Sequence, residues 1–540
     1  MTLSPALDTV PQEVLEHIAL FSATDSFLGP PSSLVPLLLT NRGVYKRLSI
    51  HSNHHLYARV FAHKFDIGPI VRRLGPERTT PDILTSELRR RCFCLKRIRA
   101  RLDSIASSAG GEEGDKEEDT SRHELLFQAY LLMLENEGKN EQQLREYARI
   151  DLWLREYWFD EMGASCAVEC LQTEEWLPDT EERSLAMWLF WFLLRPSDYN
   201  KGDQFAWNAL DLLKTFALAA HKYDLTNPSW DRFLPAPRYP QPKPVTYYDQ
   251  PCIISPPPLA TPAILAFLTL VNKLAEGVGY STPLPPSHPS AIVPIVRHQL
   301  EWECEWERCL SLGQPEYDKF LTAAFRPGSI EGVWEGLFTY TEFTAYAALL
   351  AGGLPPIIQK SMVVRHRQTW KLREHHLLAS DPSRSDSDSG IELDSDNTDP
   401  LPAGDPLRSY FPTGTQIREK SDGIEVWVPN SGDVLHYQRA PRLNSGVCGE
   451  ERKASVVQDI IITGEGHSAW GQFNLIGRVR PCDGFVSLSK EYVDGDRGKW
   501  LYRGYLVGNV NGNLAGRWRD TLTPTDMQGY EGCFAMSRRR

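Results

Sequence analysis

The sequence predicts a multi-domain α+β protein, helical through its N-terminal half and ending in an antiparallel β-barrel. Three observations predict it. Segments such as ELLFQAYLLMLEN and REYARIDLWLREYWF repeat apolar residues three and four apart, the period of an amphipathic helix. From about Gly328 onward the pattern changes to period two, with glycine, aromatic and β-branched residues, as half-buried strands require. At 540 residues, 41% hydrophobic and 10% aromatic, the chain is long enough for two or three packed cores.

Composition narrows the function classes. A formal net charge of -12 opposes binding to phosphate backbones, which needs a field of Lys and Arg, so no nucleic-acid partner is expected. The opening MTLSPALDTVPQEVLEHI lacks the basic, apolar and small-residue regions of a secretory signal, which points to a reducing compartment, cytoplasmic or nuclear. Ten cysteines are scattered without the spacing of a disulfide framework, so free thiols are expected. The longest apolar run, LAMWLFWFLL from Leu185 to Leu194, is about half the ~20 residues that cross a bilayer. It reads as a buried core helix, and no membrane partner is expected.

Composition shifts place three units, at 1–66, 67–327 and 328–540. In the first, Thr9 with Gln12 fits a capping box and Pro11 falls in the first helical turn. The helix then runs through Val14, Leu15, Ile18 and Phe21, an i, i+4, i+7 stripe on one face. Leu34 to Leu39 is apolar on every side of a helix. Units of roughly 60 residues bury only about 60% of their unfolded surface and are marginal alone. The surplus apolar surface therefore needs a partner, either another molecule or the domain that follows.

In the middle unit, SSAGGEEGDKEED (107–119) reads as an acidic loop whose like charges cannot pack. Prolines cluster between 227 and 289 around one short helix, ILAFLTLVNKLAEG, which predicts extended chain wrapping over a surface. In the last unit, VVQDIIIT, WGQFNLIGRVR, GFVSLSKEYV, KWLYRGYLVG, NLAGRWRD and YEGCFAMS follow at strand-like spacing. Asn511-Gly512 is a strong hairpin signal. Glycine precedes an aromatic by two places at Gly332/Trp334, Gly336/Phe338, Gly471/Phe473, Gly516/Trp518 and Gly532/Phe534, the small-beside-large alternation of a narrow closed barrel. A two-sheet sandwich is the alternative. Residues 380–407, opening with SDPSRSDSDSGIELDSDNTDP, read as a disordered acidic insertion.

Leu7, Val10-Pro11, Glu13-Val14-Leu15, Ile18 and Phe21, followed by Leu34, Leu37-Leu38-Leu39, Asn41, Val44-Tyr45 and Leu48, resemble the F-box of fungal F-box proteins. The usual tryptophan near its third helix is Tyr45 here, and Pro36 interrupts the second helix. The C-terminal half is similar, in pattern only, to the calycin-like barrel behind the F-box in cyclin-recruiting members. The resemblance implies a three-helix F-box that binds the Skp adaptor and, through it, the cullin, with Leu7, Pro11, Val14, Leu15, Ile18, Leu34, Leu37, Leu39, Val44 and Leu48 as contacts. It implies a non-catalytic ligase subunit without a cofactor, whose barrel captures an unidentified target protein.

Arg478, Arg503, Arg517 and Arg519 alternate along antiparallel strands and are candidate target-binding groups near a barrel mouth, unless they line a solvated outer face. Ser389 and Ser395 are candidate regulatory phosphosites, where phosphate would gather negative charge for an arginine cluster. Paired cysteines and adjacent histidines such as His54-His55 and His375-His376 lack the spacing of a metal site. No nucleophile, base and orienting group recur at usable spacing. A barrel that carries or senses a small apolar molecule, outside any ligase, is the alternative function.

Overall fold

The computed structural model describes residues 10–106, 112–200, 202–234, 244–275, 301–314, 316–379, 399–429, 431–440, 456–495, 497–508 and 512–539. The first helices are α1 (Gln12–Thr24), α2 (Leu34–Leu38), α3 (Arg42–Leu48), α4 (His54–Lys64), α5 (Gly68–Leu74), α6 (Pro81–Arg99), α7 (Glu112–Leu134) and α8 (Lys139–Gln142). They are followed by α9 (Ile150–Phe159), α10 (Ala167–Gln172), α11 (Glu181–Leu193) and α12 (Gln204–Leu218). A short hairpin, β1 (Pro244–Tyr247) with β2 (Gln250–Ile253), precedes α13 (Ala260–Ala275) and α14 (Glu303–Gly313).

Side chains fix several helix starts. Asn41 Oδ1 accepts from the Val44 N–H at 2.8 Å, and Asn53 Oδ1 accepts from Leu56 N–H at 3.0 Å. Thr180 caps α11, whose first turn carries Glu181 and Glu182 against the helix dipole. Every residue of α11 from Ser184 to Leu193 is buried, as the apolar run predicts.

Four sequence expectations change. Thr9 lies outside the described residues, and α1 begins after Pro11 with no side-chain cap. The acidic segment continues from residue 112 as the first turns of α7; Glu and Lys are good helix formers even where they cannot pack. The proline-rich stretch does not only wrap a surface. Pro256, Pro257 and Pro258 are buried, the Trp188 indole donates to Pro257 O at 2.9 Å, and α13 is buried among α11, α12 and the barrel. Within 380–407, residues 380–398 lie outside the described set. From 399 the chain is packed, with Leu401 buried and the Leu401 and Pro402 carbonyls bonded to Arg478.

The C-terminal strands are β3 (Gly332–Thr341), β4 (Val363–Leu378), β5 (Gln416–Glu419), β6 (Gly423–Trp427), β7 (Val434–Arg439), β8 (Val457–Ser468), β9 (Gly471–Val479), β10 (Val486–Tyr492), β11 (Lys499–Val507), β12 (Asn513–Asp520) and β13 (Glu531–Arg538). Helices α15 (Phe343–Leu350) and α16 (Pro356–Lys360) connect β3 to β4. Eight strands close an antiparallel barrel in the order β3, β4, β8, β9, β10, β11, β12, β13 and back to β3. Successive barrel strands are neighbours, so the barrel is an up-and-down meander. The β5–β6–β7 ribbon is inserted between β4 and β8 and joins the far end of β4 through His375 and His376. β11 and β12 form the hairpin that the Asn511-Gly512 signal requires, although Asn511 itself lies outside the described residues.

Alternate residues fill the interior: Trp334, Trp370, Phe473, Tyr502, Trp518 and Phe534 belong to one buried cluster. The glycines make room for these rings across strands rather than along them. Gly466 stands opposite Phe473, Gly516 opposite Phe534 and Gly532 opposite Trp518. A Cβ on Gly466 would overlap the Phe473 ring and lie 2.8 Å from Thr369 O.

The helical region packs directly against the barrel. One continuous core runs from Leu15 and Phe61 through α11 and α13 to Tyr505, Ala515 and Ala535 on the outer face of the barrel.

Candidate functional site: docking faces and the barrel interior

Helix α1 is oriented against the usual rule for an amphipathic helix. Its buried stripe is Leu15, Ala19 and Ala23, mostly small residues. Its larger stripe, Val14, Ile18 and Phe21, faces outward, with Phe21 72% exposed. Val35 on α2, Leu39 just after it (76% exposed) and Tyr45 on α3 are exposed as well, and so is Pro11. The three helices are held together by Arg47, which donates to Gln12 Oε1 and Val10 O at 2.7 Å, and by Ser22, which donates to Ser33 O at 2.8 Å. They rest on the helical region through Gln143, which donates to Phe27 O at 2.8 Å and accepts from Gly29 N–H at 2.7 Å.

The contacts implied by resemblance therefore divide. Pro11, Val14, Ile18 and Leu39 present surface, and Leu37 is half-buried. Leu15, Leu34, Val44 and Leu48 are fully enclosed and serve the unit's own core, so none of the four can touch a partner. Leu7 lies outside the described residues. Phe21, Val35 and Tyr45 add exposed apolar surface that the sequence-derived set omits. Spacing alone marks α1 as two-sided, but it does not say which side looks inward.

The four barrel arginines are neither a mouth nor a solvated face. All point outward from the barrel, yet all are buried because helices and loops cover them. Arg517 donates to Phe216 O, Ala217 O and Tyr223 O at 3.0, 3.2 and 2.5 Å, stitching the end of α12 to β12. Arg478 pairs with Asp459 at 2.8 Å and holds the carbonyls of Leu401, Pro402 and Tyr410. Arg503 pairs with Glu531 at 2.8 Å beneath the Trp230 ring, and Arg519 ties down the carbonyls of Thr523, Pro524 and Met527. Each cation is consumed by its own fold, since burying a charge requires such partners. Two further arginines do the same at the seam with the helices. Arg480 chelates Asp483, which also accepts from the Tyr505 hydroxyl at 2.5 Å, and Arg308 pairs with Glu305 while donating to Asp483 O.

The barrel's two ends differ. One is stoppered by residues 328–331: Glu374 accepts from the Gly328 and Ile330 N–H groups, and the Trp334 indole donates to Ile330 O at 2.8 Å. The other carries exposed apolar side chains on successive connections: Phe343 after β3, Met362 before β4, Trp470 between β8 and β9, Val493 after β10, and Leu522 and Met527 between β12 and β13. Just inside this end lies Lys490, a buried cation that sequence spacing did not single out.

Ser389 and Ser395 lie outside the described residues. Among the described residues no group of three or more His, Cys, Asp or Glu side chains could hold a metal ion, and no helix is long and apolar enough to cross a membrane. No family model, curated protein or solved structure matches the chain.

Proposed function

We propose that the chain is the target-recruiting subunit of a Skp–cullin–F-box ubiquitin ligase, docking the Skp adaptor through α1–α3 and presenting its barrel to a protein target. The observation that carries the reading is the orientation of α1. A helix that buries two alanines and a leucine while exposing valine, isoleucine and phenylalanine loses hydrophobic free energy, about 25 cal/mol per Å² of apolar surface left in water, unless a partner covers it. The occupant is taken to be the Skp adaptor because the same positions carry the resemblance to the F-box. The barrel contributes its unstoppered end, where four connections expose apolar side chains; the arginines are already committed elsewhere. On this reading the chain needs no catalytic group, because ubiquitin transfer belongs to the ligase's other subunits.

The test is the double variant Ile18→Ser with Leu39→Ser, measured by titration against purified Skp adaptor. Both side chains are exposed, so the melting temperature stays within about 2 °C, whereas hot-spot losses of ~2 kcal/mol or more each weaken binding at least a hundredfold. Undiminished affinity, or no affinity in the parent chain, would sink the docking assignment.

A further inference from the structure

Lys490 sits on the inward side of β10 and is 1% exposed. Its Nζ lies 3.9 Å from the centroid of the Phe473 ring, 4.9 Å from that of Tyr492, and 5.3 Å from those of Phe338 and Tyr502. It donates to Gln368 Oε1 at 3.3 Å, and among the described residues it makes no ion pair. The buried arginines of the barrel wall each hold a carboxylate or several carbonyls; this amine has one long hydrogen bond to a neutral amide. Beside it are spare donors and acceptors. The Gln368 amide faces the Tyr502 hydroxyl, and among the described residues His366 Nε2 has no hydrogen-bond partner.

Among the described residues, aromatic rings gather at the mouth over this amine. His366 packs against Trp470 at 4.7 Å, Phe338 at 5.6 Å and Tyr340 at 5.7 Å between centroids. Trp470 is 37% exposed and belongs to the two-residue turn between β8 and β9, so it is the most exposed ring of the group.

The surroundings restrict what such an amine can take up. Ring faces carry negative charge density and repel an anion, so a carboxylate or phosphate ligand is disfavoured, whereas a neutral planar molecule and a cationic product both suit the box. We propose that Lys490 captures a flat, apolar aldehyde covalently, as an imine, at the open end of the barrel. The amine lone pair attacks the carbonyl carbon, and the C–N bond forms as the C=O π bond breaks. The Gln368 amide N–H donates to the oxygen as charge develops there. A proton passes from nitrogen to oxygen, and the carbinolamine loses one water to give the imine. No oxidant or reductant takes part.

Burial pushes the Lys490 amine down to about 7, so above neutral pH the nucleophilic form dominates. The titratable groups facing it are Tyr492 and Tyr502, held neutral because burial raises both, and His366, which burial lowers. Among the described residues, β3 and β9 contribute the Phe338 and Phe473 rings, and the Arg497 guanidinium lies 5.8 Å from the centroid of the Tyr492 ring.

The experiment treats the full-length protein with trans-cinnamaldehyde and sodium cyanoborohydride, which reduces an imine to a stable secondary amine, and maps the labelled peptides by mass. Lys490 labels at least tenfold faster than any exposed lysine at pH 7.5, with a rate that climbs through pH 7 and levels by about pH 8.5. Trp470→Ala accelerates the labelling, Gln368→Leu slows it, and Lys490→Met abolishes it in a protein that melts no lower than the parent. Any smaller preference for Lys490 in both the parent and Trp470→Ala, including labelling only after denaturation, overturns the proposal. Adaptor binding plays no part in this readout, so the two proposals stand or fall separately.

Discussion

Two buried cations on adjacent regions of the barrel have opposite consequences for stability. Arg517 saturates three carbonyls at the end of α12 and the chain beyond it, and its removal leaves those acceptors buried without donors. Arg517→Met is therefore expected to destabilise by about 3 kcal/mol. Among the described residues Lys490 has one hydrogen bond to an amide and no ion pair, and burial lowers its ammonium from the ordinary 10.5 to about 7. Between those values the unfolded chain holds a proton that the folded chain does not, so stability rises with pH across that window. A shift of that size corresponds to about 5 kcal/mol at most. Attraction of the cation to four ring faces offsets part of it, leaving a cost on the order of 3 kcal/mol. Lys490→Met should thus stabilise the fold near pH 7, with an advantage over the parent that shrinks as pH approaches 10. Urea denaturation of both variants at pH 6.5, 8 and 10 checks the two signs; a Lys490→Met protein less stable than the parent at pH 6.5 would show that the amine has a partner in solution.

At the scale of elements, the barrel depends on glycines that leave space for rings on the neighbouring strand. Gly466→Ala forces a methyl into the Phe473 ring and against Thr369 O, and overpacking of this kind typically costs about 1–3 kcal/mol. The double variant with Phe473→Leu should recover part of that loss, because only the backbone contact remains. Equal losses in the single and double variants, read from denaturant midpoints, would mean that the ring is not what Gly466 accommodates. The alternation that identifies this barrel was legible in the sequence because residues two apart on a strand share a face by covalent geometry. What was not legible is the pairing of each glycine with a ring across the strand, which the register decides. Helix α1 shows the same division: the Val14, Ile18, Phe21 stripe follows from spacing, but its outward aspect follows from Ala19 and Ala23 packing on neighbours contributed by later residues. The acidic stretch that opens α7 reads as a loop in the sequence alone, because charge excludes packing but does not exclude helix.

At the scale of the whole molecule, the helical region and the barrel share one core, joined at a seam of buried charge formed by Arg308, Arg480, Asp483 and Tyr505. They should unfold together. Hydrogen exchange in increasing denaturant is expected to give α12, α13, β12 and β13 a common midpoint; separated midpoints would mean two independent domains that merely touch. The composition shift near residue 328 marks a change of secondary structure without a break in packing, which is why it resembled a domain boundary. The barrel arginines follow the same reason: a row of arginines on an outward face meets solvent only when no other segment covers that face, and here α12 covers Arg517 and residues 399–411 cover Arg478.

Local spacing by itself determined the kinds of element in this chain, the buried helix from Leu185 to Leu194 and the antiparallel barrel, because helical and strand periods are set by the backbone and need no knowledge of neighbours. Tertiary structure alone decided direction and company: which stripe of α1 faces water, which arginines are spent on carbonyls, and which amine, among the described residues, is left without an ion pair inside a ring of aromatics. Those outcomes depend on segments hundreds of residues apart meeting in space, and burial is a property of that meeting rather than of any window along the chain.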